Sequence, residues 1–254
     1  MRDITELRTA QLEEMKAQKE RDMMMTYISH ELRTPVTSIA GYMTAISDGV
    51  ISEEDDIKDA MATITDKTVM LKKLIDDVDQ LSKMKSNHFS FELMTYDAMD
   101  LTDYLIEKNI PDLKMKGFNV ELKKDEGMRR RYIIADKDRI NQVFSNILNN
   151  AVKYSGSRIT LDIAFDIDAS GSCYNASVRD FGPGISKDEK EMIFTRFYRG
   201  KNTANSEIAG SGLGLTLSKE IMKAHNGDIT VESEEGKGSR FTIVIPLYEE
   251  ETNG

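Results

Sequence analysis

Tryptophan is absent from these 254 residues, cysteine occurs once, proline four times, and aromatics make up only 7%. The single Cys173 excludes an internal disulfide framework and a cysteine-rich zinc site. It fits a reducing compartment. No apolar run approaches the roughly 18 residues a membrane helix needs. The best stretch, 241–248, contains Pro246 and reads as a strand. The charged start MRDITELRTAQLEEMK lacks the apolar segment of a signal peptide. Positive charge is also in short supply: 34 Lys and Arg against 44 Asp and Glu, net −10. That balance argues against nucleic acid as a partner, because neutralising phosphates needs cations. The expectation is a soluble, cytoplasmic chain, which leaves open that it is the inner part of a longer protein anchored to a membrane through a missing N-terminal region.

What is present is charge and periodicity. Charged residues reach 31%, above the roughly 25% of ordinary globular chains. The length suits one large domain or two smaller ones. Residues 1–22 contain neither Gly nor Pro and carry a weak stripe of Ile4, Leu7, Leu12 and Met15. They read either as a solvated helix or as an incoming coiled coil that carries a signal.

Two stripes of period 3.5 follow. Ile28, Leu32, Pro35, Ile39, Tyr42 and Ile46 form the first; Ile57, Met61, Ile64, Thr68, Leu71, Ile75 and Val78 form the second. Gly49 is placed to end the first helix, and Ser52 with Asp55 resembles a capping box for the next. A short connection makes the helices antiparallel neighbours. Two helices alone leave apolar positions open, Ala60, Val69, Leu74 and Leu81 included. Docking two copies into a four-helix bundle covers them, so a homodimer is expected. Residues 86–97 lose the period and read as a linker. Beyond it, helices near 98–108, 137–154 and 213–225 interleave with strands near 118–122, 132–135, 158–165, 173–179, 228–233 and 240–246. The fold class is α+β multidomain: a long helical hairpin, then an α/β sandwich with one mixed sheet and helices on one face.

Four constellations carry chemistry. His30 lies about 200° around the helix from Ile28 and from Leu32, off the apolar stripe. Glu31 beside it is able to hold one ring nitrogen protonated and leave the other as nucleophile. Pro35, one turn on, removes a backbone donor and should kink the helix; it costs on the order of 3 kcal/mol in a helix interior. Next, Asn146, Asn150 and Lys153 are spaced four and three apart, on one face opposite Ile140, Val143, Phe144, Ile147, Leu148 and Ala151. Two amides and an ammonium suit a divalent ion and phosphate oxygens; a solvated polar face is the plain alternative. Then Asp180-Phe181-Gly182-Pro183-Gly184 follows a strand. A carboxylate there is able to accept from the exocyclic amine of adenine, and Gly182 and Gly184 allow the backbone to approach a flat base. An ordinary turn is the alternative. Last, Gly210, Gly212, Leu213 and Gly214 open a helix whose free N–H groups suit phosphate. The spacing is neither the Rossmann fingerprint nor a Walker loop. The polar stretch 196–209, with Arg199 and Lys201, looks like a lid. His88 and His225 read as bystanders.

In this order the elements resemble the cytoplasmic core of a sensor histidine kinase of bacterial two-component systems, a HisKA-type phosphoacceptor bundle followed by a Bergerat-type HATPase domain. YISHELRTPVTSI resembles the phosphoacceptor box, NQVFSNILNNAVKYS the N box, DFGPGI the G1 box, IFTRFYRG the F box and GSGLGL the G2 box. The likeness covers about 21–248. Phe181 departs from it, standing where the family often has Asn. RDITE at 2–6 resembles the end of a PAS sensor domain, which implies an upstream sensor domain missing from this chain.

The resemblance implies a signalling helix at 1–20, a dimerisation and phosphotransfer domain at 21–86, a linker at 87–96, an ATP-binding domain at 97–248 and a tail at 249–254. It implies ATP and Mg²⁺ as cofactors. Asp180 would bind the adenine amine, and Asn150, assisted by Asn146, would coordinate Mg²⁺. Lys153, Tyr154 and Arg199 would contact nucleotide or phosphate, while Gly210, Gly212, Leu213 and Gly214 would shape the lid hinge. His30 would take the γ-phosphoryl group with Glu31 as base or orienter, then pass it to an aspartate of a response regulator receiver domain. Thr34 would position water for dephosphorylating that regulator. Two other classes stay open. One is a non-kinase ATPase of the same nucleotide fold, against which His30 beside Glu31 argues. The other is a degenerate dimeric scaffold, against which the intact Asn150, Asp180 and glycines argue.

Overall fold

The computed structural model describes residues 2–85, 90–155, 159–198, 200 and 212–248. The chain divides into two compact units, Met1–Asp79 and Gln80–Gly254. No described helix is long and apolar enough to cross a membrane.

In the first unit, helix α1 runs from Arg2 to Ser47 without interruption. The leader and the first stripe are therefore one helix, about 69 Å long at 1.5 Å per residue. Pro35 sits buried inside it, and α1 continues through the expected kink position as helix. The ring still removes the N–H that would meet the Glu31 carbonyl. α1 ends where anticipated: Gly49 adopts φ +72°, and Ile51 N–H donates to the Ala45 carbonyl at 3.0 Å. Only glycine takes that backbone at little strain. The capping box is not formed. Helix α2 spans Glu54–Lys85, beginning after Ser52, with Glu54, Asp55 and Asp56 in its first turn. Three acidic side chains complement the helix dipole there without a hydroxyl cap. On α1 every residue of the expected stripe is buried or half-buried; on α2 the burial shifts, with the flanking Ala60 and Leu74 buried while Met61 and Ile75 of the stripe, and the flanking Val69, stay exposed. A single hairpin covers one line of each helix and leaves the next open.

The second unit opens with β1 (Met94–Asp97), so part of the presumed linker is a strand. It pairs antiparallel with β3 (Tyr132–Ala135) as a separate two-stranded ribbon. Helix α3 (Ala98–Met115) is capped by the Asp97 carboxylate and passes Pro111, well beyond the expected end. Burying Ile110 and Leu113 explains this. Two such side chains contribute about 3–6 kcal/mol, which outweighs the roughly 3 kcal/mol proline penalty.

The main sheet has five strands in the order β2 (Asn119–Lys124), β4 (Thr160–Ile167), β5 (Cys173–Arg179), β7 (Gly238–Pro246) and β6 (Asp228–Glu234). β2 and β4 run parallel and the other pairs antiparallel. Register puts Leu161, Ile163, Phe165, Tyr174, Ala176, Val178, Phe241, Ile243 and Ile245 on one buried face. Helices α4 (Lys137–Tyr154) and α5 (Gly214–Ala224) join α3 against the sheet. The Phe144 and Phe165 rings meet at 5.6 Å. At the centre, the Thr102 hydroxyl donates to the Ala98 carbonyl at 2.8 Å and pairs with the Tyr174 hydroxyl at 2.9 Å. Thr102 has one proton, so Tyr174 donates in that pair. Burial pushes the Tyr174 hydroxyl well above its ordinary pKa, consistent with a neutral donor.

Candidate phosphoacceptor helix and nucleotide site

In the first unit, the His30 side chain is 76% exposed and its Nδ1 lies 3.8 Å from Glu31 Oε1. That separation is an electrostatic approach rather than a hydrogen bond. Helix geometry thus brings the imidazole off the core line, as its spacing predicts. The Thr34 hydroxyl, one turn on, is exposed and donates to the His30 carbonyl over a long 3.3 Å. Its oxygen keeps lone pairs for another partner.

In the second unit, α4 presents the N-box residues unequally. Asn150 is half-buried, and its side chain has no hydrogen bond among the described residues. Asn146 is 9% exposed. Its amide nitrogen donates to the Gly214 carbonyl at 3.4 Å and the Ser218 hydroxyl at 3.3 Å. It therefore fastens α4 to α5 and does not project beside Asn150 as a second free amide. The Lys153 ammonium lies 5.0 Å from the Tyr154 ring. The backbone of Tyr154 matters more than its ring: a Cβ on Gly182 would collide with the Tyr154 carbonyl oxygen.

Asp180 leaves the end of β5 and is 5% exposed. Its Oδ1 accepts the Gly182 N–H at 2.8 Å, and its own N–H reaches the Ser239 carbonyl at 2.9 Å. Burial raises the Asp180 carboxyl above the usual range, opposed by those backbone donors and by Arg179. The Phe181 ring lies 4.9 Å from the Arg179 guanidinium. Gly184 adopts φ +73°, and a Cβ there would strike the Glu234 carbonyl oxygen.

α5 begins after Leu213, which is fully buried and offers no side-chain cap. Leu213 therefore serves the turn as an anchor, and among the described residues no side chain caps the start of α5. The 3-10 turn Met192–Phe194 is tied to α5: the Thr216 hydroxyl donates to the Phe194 carbonyl at 3.1 Å. Phe197 N–H donates to the Gly212 carbonyl at 3.1 Å, with Gly212 at φ +64°. Arg199, Lys201, Gly210 and most of the expected lid, like His88, lie outside the described residues.

Two features escaped the sequence reading. The β6–β7 hairpin buttresses the loop 180–185; its glycine-rich turn signalled a hairpin but not what it supports. His225 is buried at 5% exposure. Its Nδ1 faces the Ile221 carbonyl at 2.7 Å, and its Nε2 accepts the Asp136 N–H at 3.0 Å. That assigns a neutral ring with its proton on Nδ1. Phe91 packs edge-on against it at 5.3 Å, and Asp136 Oδ2 accepts the Glu92 N–H at 3.1 Å. Residues read as linker are thereby held to the N-terminus of α4.

Burial lowers the His225 pKa below 6.5. The unfolded chain takes up a proton near pH 6.5 that the folded chain refuses, so stability falls as pH drops below that value. The expected slope is up to about 1.4 kcal/mol per pH unit. Thermal melts from pH 7 to 5.5 should show it, flattened in His225→Gln. An identical slope in that variant would remove His225 as the cause.

Comparison with known proteins finds a match for each of two regions of the chain. Residues 20–87 match the His Kinase A (phospho-acceptor) domain. Residues 135–249 match the family described as histidine kinase-, DNA gyrase B-, and HSP90-like ATPase. The sensor histidine kinase WalK of Bacillus subtilis (strain 168) is 34% identical over 242 residues, 94% of this chain and 39% of the relative. The sensor protein kinase WalK of Staphylococcus haemolyticus is 31% identical over 234 residues, 92% of this chain and 38% of the relative. The chain thus spans about two fifths of the length of these curated relatives. Among solved structures, the Acinetobacter baumannii histidine kinase AdeS aligns with TM-score 0.65 at 24% identity, covering 87% of this chain and 98% of that one. The histidine kinase ThkA, solved in complex with the response regulator protein TrrA, aligns with TM-score 0.68 at 22% identity, covering 88% and 60%. At those identities the two structures speak for the fold.

Proposed function

Because the chain belongs to the sensor histidine kinases, as their catalytic core, we propose that it autophosphorylates His30 from ATP and passes the phosphoryl group to an aspartate on a response regulator receiver domain. The observation that carries this is the exposed imidazole of His30 with the Glu31 carboxylate 3.8 Å from Nδ1, in a chain that also holds the Asp180 loop.

The Glu31 carboxylate favours the tautomer with its proton on Nδ1, which leaves the Nε2 lone pair outward. As the Nε2–phosphorus bond forms, the bond from phosphorus to the ADP oxygen breaks. The Nδ1 proton moves toward Glu31, giving a neutral phosphoimidazole. In transfer onward the proton returns from Glu31 to Nδ1 as the N–P bond breaks and an O–P bond forms on the regulator carboxylate. Both steps rest on positioning and charge neutralisation. Asp180 accepts the adenine amine; Lys153 and Arg199 meet phosphate; the N-terminus of α5, which Gly214 opens behind Gly210 and Gly212, offers N–H groups to the same oxygens.

The donor set fits Mg²⁺. Among the described residues no group of three or more His, Cys, Asp or Glu forms a closed cage, and Asn150 offers one uncommitted amide oxygen. Mg²⁺ keeps several waters and takes few protein ligands beside substrate phosphates. Asn150 would hold it, and Asn146 would act by fixing α4 to α5. When bound, the ion neutralises charge on the phosphates.

The exposed Met61, Val69 and Ile75 support pairing of two hairpins in a homodimer. The matched regions support a phosphotransfer domain at 21–86 and an ATP-binding domain at 97–248. We place both in the cytoplasm, downstream of a sensor domain. The test incubates the chain with labelled ATP and Mg²⁺, then adds a receiver domain. Acid-labile, alkali-stable label should appear on the chain and move to the receiver; absence of label on the chain would sink the reading.

Thr34 should separate two activities of this core. Thr34→Ala is expected to keep autophosphorylation within a few-fold and to lose most dephosphorylation of the regulator. Its hydroxyl stands one turn from His30, with lone pairs available to hold a water. Both rates are measured on the same variant. Equal loss of both would point to damaged helix geometry instead.

A further inference from the structure

The loop 180–185 leaves the sheet at Arg179, so something other than strand pairing must hold the Asp180 carboxylate in place. The contacts that do so converge from the β6–β7 hairpin. Asp180 N–H donates to the Ser239 carbonyl at 2.9 Å, and Gly236 N–H donates to the Pro183 carbonyl at 2.7 Å. Gly184 abuts the Glu234 carbonyl, and Gly238, at φ +92°, abuts the Asp180 carbonyl; a Cβ at either glycine would collide. Ser233 contributes the side chain to this set. Its hydroxyl oxygen accepts the Ile185 N–H at 2.8 Å and donates to the Gly238 carbonyl at 2.9 Å. It also lies 2.9 Å from the Ser239 hydroxyl. The one Ser233 proton is committed to Gly238, so Ser239 donates in that pair. One hydroxyl therefore accepts from the loop and donates to the turn at once, which no aliphatic side chain can do.

We propose that Ser233 is a positioning residue for nucleotide binding, setting the place of the Asp180 carboxylate by latching the loop 180–185 to the β6–β7 hairpin. It touches no nucleotide. The inference rests on the reading that Asp180 receives the adenine amine. Removing the hydroxyl strands the half-buried Ile185 N–H and frees the Gly238 carbonyl, so the loop relaxes and the carboxylate samples positions off the amine. The loop also abuts the end of α4, where Gly182 meets the Tyr154 carbonyl, but the hydrogen bonds of the latch itself run only between the loop and the β6–β7 hairpin.

The experiment measures ADP affinity by calorimetry, and KM and kcat of His30 phosphorylation, on the whole chain. Ser233→Ala should weaken ADP about tenfold, the scale of one lost hydrogen bond in a partly buried setting. KM should rise more than kcat falls. Ser233→Thr, which keeps the hydroxyl, should stay within about twofold of wild type. Ser233→Cys keeps the volume with a weak donor; it should fall between them, and it carries the test if the alanine variant does not fold. Asp180→Asn is run in parallel. Wild-type affinity in Ser233→Ala and Ser233→Cys, with Asp180→Asn weakened, overturns the latch and leaves the adenine site standing. Unchanged affinity in Asp180→Asn overturns the site reading itself. Equal losses in the threonine and alanine variants would assign the effect to packing and overturn the latch.

Discussion

In a His30→Gln chain, autophosphorylation is expected to fall to background while nucleotide binding and dimerisation hold at wild-type levels. The reason is local. The His30 side chain is 76% exposed, so it contributes little to packing, and glutamine is a sound helix former. What disappears is a ring nitrogen with an available lone pair. An amide nitrogen has none, its electrons being delocalised into the carbonyl, so no residual nucleophile remains at that position. The check is incorporation of label from ATP beside ADP affinity and the sedimentation mass of the same sample. Label persisting on the variant would move the acceptor elsewhere. Loss of ADP binding would mean that the substitution damaged more than the acceptor.

The second large effect is a division between the two ends of the nucleotide site. Asp180→Asn should weaken ADP by about 10–100-fold, since hydrogen bonds to charged groups contribute roughly 1.5–3 kcal/mol. The structure argues for the upper part of that range. Asp180 Oδ1 already accepts the Gly182 N–H. An asparagine that keeps this bond through its oxygen turns an NH2 group toward the adenine amine, donor against donor. Acidification should mimic the substitution. Burial raises the Asp180 carboxyl, so the charged acceptor is present above that raised pKa. It is lost as pH falls through it, earlier than for an ordinary carboxylate. Wild-type affinity should therefore decline on acidification, and Asp180→Asn should be nearly flat. Asn150→Ala should behave differently. Metal-free ADP binding should stay close to wild type while Mg²⁺-dependent turnover drops on the order of a hundredfold, the scale of lost metal-ion charge stabilisation. Titrations with and without Mg²⁺ on both variants decide it. If both bind and turn over normally, the site assignment fails.

The two halves of the chain were legible to different depths. The helical hairpin followed from heptad spacing and Gly49, because a helix's face is set by its own sequence. Even there, α2 buries Ala60 and Leu74, read as flanking positions, more fully than Met61 and Ile75 of its own stripe. Two adjacent stripes are equally apolar, and only the partner helix chooses between them. Strands at 173–179 and around 228–246 stood out through alternation. β1 did not: four residues ending a polar stretch carry too little pattern, and pairing with β3 is what makes them a strand.

Residue identity and order by themselves determined the chemistry this protein holds. A histidine off the apolar line beside a glutamate, two asparagines one helical turn apart, an aspartate before two glycines and a glycine-rich helix start are local facts of the chain. Tertiary structure alone decided which of these groups are free. Asn146 and Asn150 look equivalent along α4, yet packing of α5 commits the first to Gly214 and Ser218 and leaves the second open. His225, read from the sequence as a bystander, becomes a buried neutral acceptor because Asp136, 89 positions away, folds onto it. Ser233 gains its part from Ile185, 48 positions away. Periodicity reports which face of an element is apolar; which polar group meets which across the fold depends on long-range register, and that exists only once the sheet and helices are assembled.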